Sequence, residues 1–258
     1  MDSSAASYRK SLQAFRGRID EEERFCALLD DVKTELGLES AQDCVSIGIG
    51  SGTFDLAFIA RCLPALKSVT TVDKDDSNID GLRQNLANHL PSGVDVSIRR
   101  EAVENWMGPD EGRRVDVVLA LHVCAYLDVA TRSSMFRRCF NDWLKPDGRV
   151  VVLVMNRDRD LVFRQVLRRM LATYEVPDAD AVRDELTSAG YDVVGEYEYQ
   201  FHQNYSDPDD HLLRFFNYVG RCSVELSTIR DLLLEIVPVG HCEAFAKLLV
   251  VKKKSPEV

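Results

Sequence analysis

Apolar and polar positions along this chain switch between two periods. From Tyr8 to about Leu36, the residues Tyr8, Leu12, Phe15, Ile19, Leu28, Leu29 and Val32 recur mostly at helical spacing, broken by Gly17 and the acidic run Asp20 to Glu23. The pattern predicts two helices, or one broken helix, ahead of a sheet. Strand-like runs then alternate with helical stretches: CVSIGI, SVTTVD, VDVSIRR, VDVVLAL and RVVVLVM. Such alternation predicts an α/β fold with a doubly wound, mostly parallel sheet. Helical patterns follow around Leu161 to Ala172 and Ala179 to Ala189. A sixth strand is expected in YDVVGEYEYQF, a helix start in SDPDDHLLRFFNYV and a last strand in AFAKLLVVK, which makes a seven-stranded sheet. Ser206 or Asp207 is placed to cap that late helix, with Pro208 where a missing N–H costs nothing. The tail is expected to add two antiparallel-type strands around a helical insert.

This pattern divides the chain into an N-terminal helical cap over residues 1–40 and a main domain over 41–258, with a substrate-covering insert around 200–235. A length of 258 residues suits one large core of this class. The formal net charge of −10 argues against a nucleic-acid groove, which needs clustered Lys and Arg. Seven scattered cysteines without a C-x-x-C pair read as reduced thiols, with no metal site among them. The polar N-terminus lacks a signal-peptide core, and no apolar run reaches membrane-spanning length. A cytoplasmic protein with neither membrane nor nucleic-acid partner is expected.

Candidate chemistry gathers where the strands end. SIGIGSGTF sets Gly48, Gly50 and Gly52 between the first strand and a helix, and a backbone without Cβ atoms lets a ligand approach the main chain. Dinucleotide turns read G-x-G-x-x-G and place a pyrophosphate on the helix N-terminus; here Thr53 takes the last glycine position and Gly52 comes one residue early. Asp73 ends the second strand, within reach of a ribose diol bound over that turn. His122 ends the apolar VDVVLAL run at the carboxyl edge, where open α/β sheets bind their ligands. Asn156, just beyond RVVVLVM, sits at another carboxyl end. Tyr126, with Tyr8, Phe15, Phe201 or Tyr205, is available to wall a pocket for cations. His202, His211 and His241 have no second ligand at metal spacing.

The G-x-G-x-G turn resembles that of class I S-adenosylmethionine-dependent methyltransferases. Together with VDVVLALHVCAYLDV, DHLLRFFNYV, the closing LLVV strand and the opening SYRKSLQAFRGRIDEEE, it makes the chain similar to the histamine N-methyltransferases over nearly its whole length. The resemblance implies S-adenosyl-L-methionine as cofactor. Gly48, Gly50 and Gly52 would wrap its methionine part, Asp73 would take the ribose hydroxyls, and Asn78 and the main chain of Val103 would lie near adenine, with Leu121 closing that pocket. It also implies a small-molecule amine as acceptor, histamine or a related biogenic amine or imidazole. Glu21, or its neighbours Glu22 and Glu23, matches the family's substrate-binding glutamate. His122 stands where the family has a glutamine, and unlike glutamine it can accept a proton from an amine, which makes it the expected catalytic residue. The family's C-terminal asparagine has no match in EAFAKLLVV. A monomeric N-methyltransferase of small amines is the expectation; a peptide or protein acceptor, or a catalytically silent cofactor-binding paralogue, are the alternatives.

Overall fold

The most apolar segments form the middle of the sheet. The computed structural model describes residues 3–75, 79–109, 112–156, 161–170 and 176–254. Its strands are β1 (Asp43–Ile47), β2 (Ser68–Val72), β3 (Asp95–Arg99), β4 (Val115–Leu121), β5 (Leu144–Met155), β6 (Tyr191–Asn204) and β7 (His241–Lys253). They form one seven-stranded sheet in the order β3-β2-β1-β4-β5-β7-β6. The helices are α1 (Ser3–Arg16), α2 (Glu21–Val32), α3 (Thr53–Cys62), α4 (Ile79–His89), α5 (Val129–Arg138), α6 (Leu161–Arg169), α7 (Ala179–Ser188), α8 (Asp210–Gly220) and α9 (Leu226–Ile236).

β4 shows why its sequence is apolar from Val117 onward. Val117, Leu119 and Leu121 pack with Phe25, Leu29, Phe54 and Phe58 on one face, while Val118 and Ala120 pack with Met135, Phe136 and Val182 on the other. From Val117 to Leu121, where both faces are covered, no position is left for a polar residue, whereas Asp116 at the less buried start of the strand pairs with Lys145. β6 lies at the sheet edge, and its exposed residues alternate with less exposed ones, as a strand covered on one face requires. The neighbouring pairs among β1 to β5 are parallel. β7 runs antiparallel to both β5 and β6, so the tail adds its two strands as the expected antiparallel pair, with α8 and α9 inserted between them.

The late helix begins later than expected. Asp209, rather than Ser206 or Asp207, caps α8 by accepting from the Leu212 N–H at 2.8 Å, and Pro208 precedes the cap. Asp207 instead takes a left-handed φ of 48°. A further helix, α9, follows before β7.

The first forty residues divide their packing. In α1, Tyr8, Leu12 and Phe15 join a separate core with α6, α8 and α9, where Phe15 stacks on Phe215 with centroids 4.4 Å apart. In α2, Phe25 and Leu29 belong to the sheet core. The link between the two helices is stitched to the end of β6: Ile19 bridges Gln203, Asn204 N donates to Arg18 O at 2.8 Å, and His202 N donates to Asp20 Oδ1 at 2.5 Å. Among the described residues, no helix is long and apolar enough to cross a membrane.

Candidate functional site

β1 pairs with β2 on one side and β4 on the other, and the chain leaves β1 through the glycine turn. This is the point where strand order reverses and a crevice opens at the carboxyl ends. Gly48, Gly50 and Gly52 all have left-handed φ values, 68°, 55° and 84°. Their surroundings differ. A Cβ on Gly48 would lie 2.5 Å from Val123 Cγ2, whereas one on Gly50 would meet nothing within 4 Å. Gly48 is bare so that the protein can pack against itself; Gly50 is bare toward open space.

The turn is held from several sides. Asn85 Nδ2 donates to Ser51 O at 3.0 Å, the Ser51 and Thr53 hydroxyls are 3.0 Å apart, and Arg16 Nη1 donates to Ser51 Oγ at 3.1 Å. Asp73 Oδ2 accepts from Gly50 N at 2.8 Å and Oδ1 from Asp75 N at 2.9 Å. An ionised carboxylate has about four acceptor sites, so two such bonds leave capacity for ligand hydroxyls. Over this turn lies a cleft of about 850 Å³, a size typical of small-molecule sites. Asp73, Val103, Leu121, His122 and Tyr126 line it, and α1 roofs it with Tyr8, Arg9, Leu12, Gln13 and Arg16, one face of that helix. The Val103 carbonyl already accepts from Arg138 Nη1 at 3.1 Å. Asn78 lies outside the described residues.

A second space of about 70 Å³ adjoins the first, and the two share Leu12, Arg16, Ile19, Phe54, His122 and Tyr126. Phe15, Phe54, Phe163 and Phe215 give the small space an aromatic wall, and Glu21 supplies a carboxylate. Stitching of the interhelical link onto β6 places Glu21 inside, 4% exposed, whereas Glu22 and Glu23 are exposed. Tyr199 of β6 donates its hydroxyl to Glu21 Oε1 at 3.1 Å. Burial first, then the Glu21 carboxylate, push the Tyr199 phenol well above its ordinary range, so it remains a donor. On the opposite side, Tyr8 donates to the Tyr126 hydroxyl at 2.6 Å, and burial pushes the Tyr8 phenol up.

His122 stands where the two spaces meet. Its φ of 57° is left-handed, a conformation that costs a non-glycine residue about 1–3 kcal/mol and gathers at functional sites. Its backbone N–H still donates to Leu153 O at 2.9 Å, so the strand ladder is intact up to the residue that turns away. The ring meets Phe54 edge-on at 4.8 Å. Nε2 lies 3.0 Å from Glu21 Oε1 yet is buried without a hydrogen-bond partner. The two atoms are within ion-pair distance but do not meet hydrogen-bond geometry, so the contact is electrostatic.

Three expected residues are placed elsewhere. Asn156 lines neither space: its Nδ2 donates to Glu198 Oε2 at 2.7 Å and its N–H to Phe245 O at 2.7 Å. The antiparallel pairing of β5 with β7, which continues to Met155 and Ala246, covers that strand end. Phe201 and Tyr205 are core residues that line neither space. Conversely, Arg16, Phe54, Phe163, Tyr199 and Phe215 belong to the site although no sequence signal marks them. Asp55 is a further case. It is buried in the first turn of α3, accepts from Ser46 Oγ at 2.6 Å and borders the large cleft. Burial, opposed by the Ser46 hydrogen bond, pushes its carboxyl up to about 6. Among the described residues, no group of three or more His, Cys, Asp or Glu side chains could hold a metal ion.

Residues 20–196 match the methyltransferase-domain family. No curated protein matches the chain in sequence. Among solved structures, a protein from Bacillus halodurans assigned as a methyltransferase superposes with a TM-score of 0.61 at 13% identity, covering 88% of this chain and 99% of its own. A glycopeptide N-methyltransferase complexed with sinefungin gives 0.52 at 12% identity, covering 90% of this chain and 94% of its own. A coclaurine N-methyltransferase bound to N-methylheliamine and S-adenosylhomocysteine gives 0.52 at 14%, covering 89% and 70%.

Proposed function

Because the chain belongs to the methyltransferase-domain family and takes S-adenosylmethionine as its methyl donor, we propose that it transfers the methyl group to the nitrogen of a small amine, histamine or a related biogenic amine. The observation that carries this reading is the position of His122 and Glu21. His122 lines both the large cleft over the glycine turn and the small aromatic-walled space, and Glu21 lines the small one beside it.

The residues present suit the cofactor. Gly50 faces open space in which a Cβ would stand, Asp73 has acceptor capacity for a ribose diol, and Leu121 supplies an apolar surface for a base. When bound, S-adenosylmethionine supplies a methyl carbon on a cationic sulfur that leaves as a neutral thioether once the acceptor nitrogen displaces it. Alignment of acceptor and donor supplies much of the acceleration in such a step, about 7–11 kcal/mol where geometry is ideal.

The chain's own residues divide the remaining work. Glu21 holds a cationic amine by a charge-assisted hydrogen bond, with Tyr199 fixing the carboxylate. The phenylalanine rings favour a cation and exclude water. For an acceptor that arrives as an ammonium ion, an imidazole nitrogen of His122 takes the proton, and the adjacent Glu21 carboxylate stabilises the imidazolium formed. Tyr126, 39% exposed and joined to Tyr8 of α1, forms the side of the passage between the two spaces.

Separate roles predict separable losses. Asp73→Ala is expected to weaken S-adenosylhomocysteine binding at least about tenfold in calorimetry, as loss of a charge-assisted hydrogen bond does. His122→Ala is expected to keep that affinity and lose acceptor turnover. Equal loss of cofactor affinity in both variants would contradict the division.

A further inference from the structure

The loop after β3 forms one wall of the cofactor cleft, and the end of α5 holds it. Glu101, Ala102, Val103 and Glu104 line the cleft. Arg138, the last residue of α5, donates through Nη1 to Val103 O at 3.1 Å and to Glu104 O at 3.3 Å. Its guanidinium lies over the Trp143 ring, 4.9 Å from the centroid, and its Nη2 is buried without a hydrogen-bond partner, so its hold on the loop rests on Nη1. The chain beyond the loop packs onto the same tryptophan: Trp106 meets its ring at 4.7 Å, and a Cβ on Gly108 would lie 2.5 Å from Trp143 Nε1.

That hold fixes what the loop presents. Its Asn105 and Trp106 N–H groups both donate to Ala102 O, at 2.9 and 3.1 Å. The Val103 and Glu104 N–H groups, by contrast, form no hydrogen bond with any described residue. In a trans peptide the carbonyl and the N–H point to opposite sides. No cis peptide occurs among the described residues, so Arg138, by drawing the Val103 carbonyl toward itself, turns the Glu104 N–H the other way. Unpaired donors on a cleft wall call for an acceptor on the ligand. The rest of the cleft shows which part of the ligand supplies it. Asp73, at the end of β2, has acceptor capacity for a ribose diol, and His122, at the end of β4, lies where the methyl group is to be delivered. β3 lies beyond β2 on the side away from β4, so the loop that follows it is left for the base.

We propose that Arg138 is a positioning residue for the cofactor's base: by holding the Val103 and Glu104 carbonyls, it aims the unpaired N–H groups of their turn at the ring nitrogen N1 of adenine. This assignment rests on S-adenosylmethionine as the donor. Adenine N1 accepts a hydrogen bond, whereas hypoxanthine carries an N1–H that opposes a second donor. A wall of fixed donors therefore selects adenine over its deaminated form, as a site built to pair one group rejects the analogue that lacks it. Arg138 does not line the cleft itself and acts through the loop.

The test compares two ligands that differ only in the base. Calorimetry with S-adenosylhomocysteine and with S-inosylhomocysteine, whose base is hypoxanthine, is carried out on the full chain and on Arg138→Met and Arg138→Lys. The unsubstituted protein is expected to prefer the adenine ligand by at least about tenfold. Arg138→Met, which keeps an apolar stem against Trp143, is expected to bind S-adenosylhomocysteine at least about tenfold more weakly while its affinity for the inosine ligand stays within about twofold, so that the preference collapses. Retained binding of the inosine ligand also reports that the variant is folded. Arg138→Lys restores a single donor and is expected to recover most of the preference. Equal weakening for both ligands in Arg138→Met, or a preference that survives the substitution, would overturn the assignment while leaving the cofactor reading intact. Amide hydrogen exchange on the unsubstituted protein needs no variant: S-adenosylhomocysteine is expected to protect the Val103 or Glu104 N–H, and no added protection at either would overturn the assignment. Failure of the unsubstituted protein to bind either ligand would overturn both the assignment and the reading beneath it.

Discussion

Asp55 ties the site to the stability of the whole chain through one proton. Its carboxyl moves from 3.8 to about 6 because burial penalises the charged form more than the Ser46 hydrogen bond rewards it. Below about pH 4 both folded and unfolded chains hold the proton, and stability is unaffected. Between about pH 4 and about pH 6 the folded chain holds more protons than the unfolded one, so stability falls as pH rises. Above that range both forms are ionised and about 3 kcal/mol has been lost. Asp55→Asn keeps an acceptor for Ser46 and cannot ionise. Urea denaturation at several pH values is therefore expected to show that this variant loses the slope and gains up to about 3 kcal/mol at neutral pH. An identical slope in both proteins would show that Asp55 ionises at an ordinary pH. The same residue scale separates Glu21 from its neighbours: three adjacent glutamates are equivalent as letters, and only the stitching of Arg18, Ile19 and Asp20 to β6 selects which one is buried.

At the scale of the element, the glycine turn does two jobs that single substitutions can separate. Gly48→Ala places a methyl group against Val123, adding about 1–3 kcal/mol of overpacking to the left-handed backbone cost of about 1–2 kcal/mol. Gly50→Ala carries only the backbone cost, since nothing of the protein lies within 4 Å of the new atom. Thermal denaturation is expected to show the larger loss in Gly48→Ala, and calorimetry to show that Gly50→Ala, although folded, has lost affinity for S-adenosylhomocysteine. Wild-type affinity in Gly50→Ala would mean that no ligand approaches the main chain there. This turn, its flanking strand and the acid ending β2 were legible because each depends on a residue type with a distinct physical property: no Cβ, an unbroken apolar run, a charge at a strand end. Arg16 and Tyr199 were not legible. An arginine ending an amphipathic helix and a tyrosine on an edge strand are ordinary choices for solvated positions, and only the packing of α1 over the cleft and of α2 against β6 turns them inward. The left-handed φ of His122 is likewise a property of the fold; the sequence shows a histidine after an apolar strand and nothing of its direction.

The whole molecule divides into a sheet covered on both faces and a helical body that roofs its carboxyl edge. α1, α6, α8 and α9 share a core of their own, so the first helix meets late helices of the chain above the site although most of the sheet lies between them in sequence. That arrangement was only partly legible, because helical periodicity shows that α1 and α8 each have an apolar face without showing that the faces meet. The roof closes over a small space that accepts a compact group, and the net charge of −10 favours approach by cations over anions. Both features agree with a small cationic amine as acceptor. The central claim is tested most directly by transfer of a labelled methyl group from S-adenosylmethionine to a panel of histamine, its imidazole relatives and aromatic amines, with a peptide mixture alongside. The account predicts label on the nitrogen of at least one small amine, with transfer lost in His122→Ala, and none on the peptides. Label on the peptides alone, or no transfer to any amine by a protein that binds the cofactor, would contradict it.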